Sequence, residues 1–329
     1  MNRSASLSVL PFLAGLVLVL AVVSLAVGKV WVSPWGIFSG ETEAARTFII
    51  FDLRLPRTVL AILVGGVLGL AGAVMQGYLR NPLADPGVLG VSACAAFGAV
   101  LAIWFGISGL AIWVLPVCAM ATAMAGMALL YLLAAETNRV TTFILAGIIL
   151  NSLAGALTSF AISIAPNPFA TAEIVNWMMG ALTDRSMDDV LIILPFVALG
   201  GGLLLTTGRA LDSLSLGEMT ARTMGIDLGA THRRILVGVG VSVGATVAVT
   251  GIIGFVGLVV PHLLRPFVGE RPGALLVPSI FGGSALVLAA DTVVRALPGG
   301  TEVKLGIVMA LLGAPFFLYL LLKMRSQLA

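Results

Sequence analysis

LDSLSLGEMTARTMGIDLGATHRR, residues 211–234, carries three arginines, three acidic residues and a histidine in a chain that is otherwise strongly apolar. Charged side chains are costly in hydrocarbon, so this stretch stands outside the body formed by its flanks. It also has its own helix punctuation. Ser215-Leu216-Gly217-Glu218 has the spacing of a capping box, in which the serine oxygen accepts from the N3 amide and the glutamate reaches back to the cap amide. Gly225 stands where a left-handed residue would close the helix. Leu216, Met219, Thr220 and Thr223 fall toward one side of it. A helix of about two to three turns is marginal alone in water. The pattern therefore predicts a short amphipathic helix held by a membrane body and pushed on by a soluble partner, against the plainer reading of an ordered loop.

The flanks supply the membrane body. Of 329 residues, 59% are hydrophobic and 10% charged, and mean hydropathy is +1.12; soluble domains carry about 25% charged residues. The 39 glycines fit, since glycine is commoner in membrane helices than in soluble ones. The expected fold is an all-α polytopic membrane protein, one transmembrane domain over 1–329 with a polar segment at about 208–234. Cys94 and Cys118 lie in apolar runs and read as packing residues, without disulfide or metal spacing.

Taken in order, the apolar run 7–27 is longer than the core of a cleaved leader and reads as the first span. A mixed stretch with Pro34, Gly36 and Gly40 leads to Pro56. Further spans are expected at 57–78, 87–105, 111–134, 141–165, 190–207, 235–253, 274–296 and 303–322, with a short turn at Glu136–Arg139 and an apolar half-helix at 172–182. Residues 254–264 are apolar but shorter than the roughly 20 residues a span needs. About ten crossings result, the eighth incomplete. Small residues four apart (Gly65, Gly69, Ala73, Gly77; Gly240, Gly244, Ala248; Gly306, Ala310, Ala314) mark faces where helix backbones can approach closely. The first two stripes lie five crossings apart, a hint of the inverted repeat that transporters use.

With the N-terminus inside, Lys29, Arg46, Arg54, Arg57, Arg185, Arg295 and Lys304 fall outside and the other eleven of the eighteen basic residues inside. That bias follows the positive-inside rule and places residues 211–234, and both termini, in the cytoplasm. Asp291 is the one carboxylate within a predicted span, and Arg295 at i+4 reads as its partner. A proton- or sodium-coupled carrier would show more buried carboxylates, so their scarcity argues against that class and for an energy source elsewhere. No G-x-x-x-x-G-K-[ST] loop occurs, so this chain does not bind ATP in that way. His232 and His262 lack metal-ligand spacing and read as structural. Arg54 and Arg57 flank Leu55-Pro56 at the outer mouth of a span. With Arg295 they read either as interfacial anchors or as a socket for carboxylates of an external protein.

Eight stretches in order, LRLPR (53–57), GAVMQGYLRNPLADPGVLGVSACAAFGA (72–99), LAGIILN (145–151), WMMGALTD (177–184), LGEMTARTMGID (216–227), GFVGLVVPHLLR (254–265), LAADTVVR (288–295) and LGIVMALLGAPFFLYLL (305–321), give the chain its family likeness. It resembles the FecCD-type permease subunits of type II ABC importers, which take up iron–siderophore, haem or cobalamin. The resemblance implies an inner-membrane subunit of ten helices that pairs with an identical or homologous permease. It also implies two cytoplasmic ATPase subunits and a periplasmic substrate-binding protein, with no cofactor, no covalent chemistry and no nucleic acid. It makes Ser215, Leu216, Gly217, Glu218, Met219, Ala221, Arg222 and Gly225 the helix that couples to the ATPase. Arg54, Arg57 and Arg295 become the docking residues for the binding protein. Val140, Thr141 and Thr142 become the inner gate, and Asn151 on the same helix a candidate for the path. The expected cargo is an iron chelate, with cobalamin the alternative. An ion-driven secondary transporter and a membrane enzyme are the rival classes.

Overall fold

In hydrocarbon every backbone amide and carbonyl must be paired within the protein, and helices do this segment by segment. The computed structural model describes residues 3–32, 44–135, 140–297 and 302–328; Pro34, Gly36, Gly40 and the turn expected at Glu136–Arg139 lie outside them. The described residues form helices α1 (Arg3–Ala26), α2 (Ala44–Phe48), α3 (Leu55–Leu79), α4 (Val91–Trp104), α5 (Val114–Ala135), α6 (Val140–Ser163) and α7 (Pro168–Met178). There follow α8 (Met187–Leu205), α9 (Gly208–Leu214), α10 (Glu218–Thr223), α11 (Leu228–Thr250), α12 (Val256–Val268), α13 (Pro272–Ala296) and α14 (Leu305–Leu328). Among the described residues eight segments are long and apolar enough to cross a bilayer, and α4 and α12 are shorter apolar helices. The expected ten are thus present, with two short members instead of one.

Three boundaries differ from expectation for physical reasons. The stretch before Pro56 is helical, because a π-turn at Ile49–Arg54 joins α2 to α3. Pro56 falls in the first turn of α3, where a missing N–H costs nothing. The third span begins with a 3-10 turn, Pro86–Leu89, capped by the Asp85 carboxylate, which accepts from the Gly87 amide at 2.8 Å. Only α4 is regular there, at about 21 Å for its length. The capping box expected at 215–218 does not form. Ser215 closes α9 instead, its hydroxyl donating to the Asp212 carbonyl at 2.6 Å, and Gly217 precedes α10 with φ +107° and no side-chain cap. An acid does reach back to a cap amide elsewhere: Asp189 accepts from the Ser186 N–H at 2.8 Å and starts α8.

The two glycine-striped spans are the centre of the bundle, since α3 and α11 have 83% of their apolar windows buried, more than any other span. Gly65 and Gly69 of α3 lie against the backbone of Gly283 and Ser279 on α13, and Gly72 against Gly257 of α12, so no Cβ fits at these crossings. Gly240 and Gly244 of α11 seat Met127 and Ala123 of α5, where an added Cβ would lie 2.7 and 3.1 Å from those side chains. Such approach lets dispersion hold helices together where lipid removes the hydrophobic drive. The third stripe divides. Gly306 packs on the carbonyls of Met179 and Ile252, whereas Ala310 and Ala314 are exposed.

After α11 the chain turns through residues 251–255 into the half-helix α12. Gly251 and Phe255 both have positive φ at this corner, +70° and +66°, and Phe255 is left-handed. Two backbone bonds tie the corner region to its neighbours: Ala181 N–H to Thr250 O at 2.8 Å and Gly306 N–H to Gly180 O at 3.0 Å. The first pairs a carbonyl at the broken end of α11, and the second an orphan amide in the first turn of α14.

Candidate functional site

The bundle carries polar apparatus at both ends. At one end α9 and α10 form the segment singled out by its charge. The Asp212 carboxylate accepts from the Gly273 amide at 2.7 Å and so fixes α9 to the first turn of α13, where orphan amides favour an acid. The α10 helix ends in a full Schellman closure: Gly225, at φ +81°, gives its N–H to Arg222 O, and Ile226 gives its N–H to Ala221 O at 3.1 Å. Asp227 then caps α11 by accepting from the Ala230 amide at 2.9 Å. That amide, with the Gly229 amide and with Arg233 and Arg234, holds the Asp227 carboxyl below the usual carboxylate range. The α10–α11 corner is therefore closed on both sides.

One face of α10 is fixed and the other is offered. Ala221 is fully buried, whereas Leu216, Met219 and Met224 are 65%, 77% and 58% exposed. Thr220, Arg222, Thr223 and Gly225 are exposed beside them. The residues expected on one side, Leu216, Met219, Thr220 and Thr223, do share the outward face. Glu218 makes no cap; its carboxylate lies 3.8 Å from Arg80, the left-handed residue that ends α3. A cleft of about 210 Å³ lies at the foot of this segment, between Gln76, Arg80, Ser215, Arg265 and Glu270. Gln76 accepts from Arg265 at 2.9 Å and donates to the Gly257 carbonyl at 3.1 Å, which joins α3 to both ends of α12.

At the opposite end the structure brings Arg54, Arg57 and Arg295 together, each at most 7% exposed. Arg54 donates to the carbonyls of Leu25, Ala26 and Val30 at 2.8, 2.7 and 2.6 Å, closing the C-terminus of α1. Gly28 leaves room for it, since a Cβ there would lie 2.7 Å from its guanidinium. Arg57 pairs with the fully buried Asp291 at 2.9 Å and with Glu302 at 2.9 Å. Arg295 faces Asp291 at 3.1 Å and donates to Ser24 Oγ at 2.6 Å. The pair expected between Asp291 and Arg295 is present, but Asp291 also serves Arg57. A cavity of about 900 Å³ opens over this cluster, and Lys29, Arg185 and Lys304 line it with Asp184 and Glu302.

The third group lies on α6. Val140 begins the helix; Thr141 is exposed, Thr142 half-buried and Phe143 fully buried. Gly147 lets α6 rest on the 3-10 turn at Val88, and Gly90 meets the backbone of Asn151. The Asn151 side chain is exposed, on a helix that leaves Ile148, Ser152 and Gly155 exposed as well. Sequence reasoning missed three features: the Arg57–Glu302 pair, the Asp212–Gly273 tie, and an aromatic cluster of Tyr78, Phe143 and His232 near the start of α6. Their members lie 61 to 245 residues apart, so no local pattern carries them.

Residues 16–323 match the FecCD transport family. The chain is 42% identical over 284 residues to the cobalamin import system permease protein BtuC of Halobacterium salinarum, covering 86% of this chain and 75% of that one. It is 36% identical over 324 residues to the vitamin B12 import system permease protein BtuC of Yersinia pestis, covering 96% and 93%. A solved structure of a proposed metal-chelate type ABC transporter, in an inward-facing conformation, superposes with a TM-score of 0.85 at 32% identity over 97% of this chain and 99% of that one. The chain belongs to the FecCD transport family and is a multi-pass transport permease of the type II ABC importer fold.

Proposed function

We propose that this FecCD-family chain is the membrane half of an ATP-driven importer that moves a metal chelate inward by alternating access, with both termini and α10 on the cytoplasmic side. Cobalamin is the first cargo to test, because relatives of 42% and 36% identity are named for its import. An iron chelate, the cargo expected from sequence, is the second reading, supported by the metal-chelate description of the structural match. In this account a separate pair of ATPase subunits closes on ATP, and α10 carries the movement into the bundle. A periplasmic binding protein delivers the cargo to the cavity above Arg54, Arg57 and Arg295. A second copy of the chain completes the path along α6, where Thr141, Thr142 and Asn151 sit.

One observation carries this reading. A capped helix locked through Ala221 exposes Leu216, Met219 and Met224 on a polar end of the protein. Large apolar side chains grouped on a polar surface mark a protein contact. The basic cluster of the opposite end supports the second contact, since a cavity lined by five basic side chains besides Arg57 suits acidic side chains. The test is association. Replacing Leu216 and Met219 together by Asp is expected to abolish co-purification of the ATPase subunits while the permease still inserts; full recovery of the ATPase overturns the assignment of α10.

A further inference from the structure

We infer that His232 is a positioning residue that, with Tyr78 and Phe143, joins the coupling segment to the first turn of α6. The inference rests on reading α10 as the element moved by the ATPase. Four rings from four helices meet here: Tyr78 near the end of α3, Tyr131 of α5, Phe143 of α6 and His232 of α11. The His232 ring lies 4.7 Å from Phe143 and 6.4 Å from Tyr131, centroid to centroid, and Tyr78 lies 5.5 Å from Phe143. The Tyr78 hydroxyl and His232 Nδ1 are 3.0 Å apart, within hydrogen-bond reach. Edge-to-face rings and a buried hydrogen bond give the cluster a preferred geometry, which aliphatic packing would not.

Its place in the chain gives that geometry a use. His232 lies in the second turn of α11, directly after the corner that the Gly225 closure and the Asp227 cap make stiff. Phe143 is the residue after Thr142 and is fully buried. Tyr78 is two residues before Arg80, which faces Glu218 of α10. A displacement of α10 therefore reaches the cluster from two sides, through Arg80 on α3 and through the corner into α11. The cluster in turn holds the α6 turn that bears Val140, Thr141 and Thr142. A phenylalanine at 232 would fill the same space, but it would not bond the Tyr78 hydroxyl. Among the described residues His232 Nε2 has no hydrogen-bond partner, so Nδ1 carries the ring's one hydrogen bond.

The experiment uses the full complex of chain, ATPase and binding protein in liposomes, with cyanocobalamin and a ferric hydroxamate chelate as probes. It compares His232→Phe, His232→Gln and Tyr78→Phe by cargo moved per ATP hydrolysed, by ATPase rate and by binding-protein affinity. His232→Phe is expected to leave rate and affinity near wild type and to lower cargo per ATP by roughly tenfold, a size typical of coupling between distant sites. Tyr78→Phe deletes a hydroxyl only and is expected to act in the same direction, and the two together no more than either alone. His232→Gln, whose amide can still bond the tyrosine, is expected to recover part of the loss. An unchanged cargo-to-ATP ratio in both phenylalanine variants overturns the inference, as does a fall in uptake matched by an equal fall in hydrolysis. If the wild-type complex shows no ATP-driven uptake of either probe, the inference falls together with the reading beneath it.

Discussion

Arg57 and Asp291 face each other across 234 residues of sequence, with the arginine Nε 3.0 Å from both carboxylate oxygens and Nη2 2.9 Å from one of them. Asp291 is fully buried and also faces Arg295 at 3.1 Å, so one carboxylate sits between two guanidinium groups at the junction of α3 and α13. Removing one member of a buried ion pair leaves the others uncompensated, at a cost of about 3–5 kcal/mol. Asp291→Ala is therefore expected to lower the unfolding midpoint in detergent sharply. Pairing it with Arg57→Met is expected to restore part of the loss. A double variant that is less stable than Asp291→Ala would show the pair to be independent of the damage.

Glu302 occupies the rim of the same cluster, with its side chain 26% exposed and 2.9 Å from Arg57. An incoming carboxylate of a docked protein would compete with it. Glu302→Gln is expected to tighten binding-protein affinity several-fold at low salt and to steepen its salt dependence, since rim charges act on encounter and register. Weaker binding in this variant would mean that Glu302 shapes the socket for the partner.

Gly283 allows α13 to touch α3: a Cβ there would run into the backbone of Gly65. Gly254, near the start of α12, has nothing within 4 Å of the same position. Gly283→Ala is expected to reduce the yield of folded protein severely and Gly254→Ala to be silent, as read by monodispersity after extraction. Overpacking at a close crossing costs about 1–3 kcal/mol, more where backbone must move.

Gly225 has open space around it but a left-handed backbone, φ +81°. Its requirement is conformational, and a β-branched residue there costs on the order of 1–2 kcal/mol. Gly225→Val is expected to open the α10 closure and to lower uptake while hydrolysis continues. Gly225→Asn, which tolerates this conformation, is expected to stay near wild type. Equal uptake by the valine variant would remove the closure from the coupling mechanism.

These residues also show what a sequence can carry. The stripes Gly65–Gly69 and Gly240–Gly244 were legible because close helix crossings demand small residues at a fixed period, and both proved to be central contacts. Gly225 was legible because a left-handed cap selects glycine. The capping box at Ser215–Glu218 was not, because α9 ends only at Leu214 and draws the serine hydroxyl back to the Asp212 carbonyl. The arginines were recognisable as a group and the Asp291–Arg295 pair was readable at i+4, yet the partners of Arg54 and Arg57 were not. Arg54 reaches carbonyls 24 to 29 residues away and Arg57 a glutamate 245 residues away, distances that require knowing which helices are neighbours. The cluster of Tyr78, Phe143 and His232 was hidden for the same reason: each residue, taken alone, looks like ordinary packing at a helix end.

The central claim is that ATP hydrolysed on a partner drives cargo through this chain. The direct measurement is uptake of cyanocobalamin, and of a ferric hydroxamate chelate in parallel, into liposomes holding the chain with its ATPase and binding protein. The account predicts accumulation of one probe that requires ATP, the ATPase and the binding protein together. Accumulation by the chain alone, driven by a proton or sodium gradient without ATPase, would contradict it.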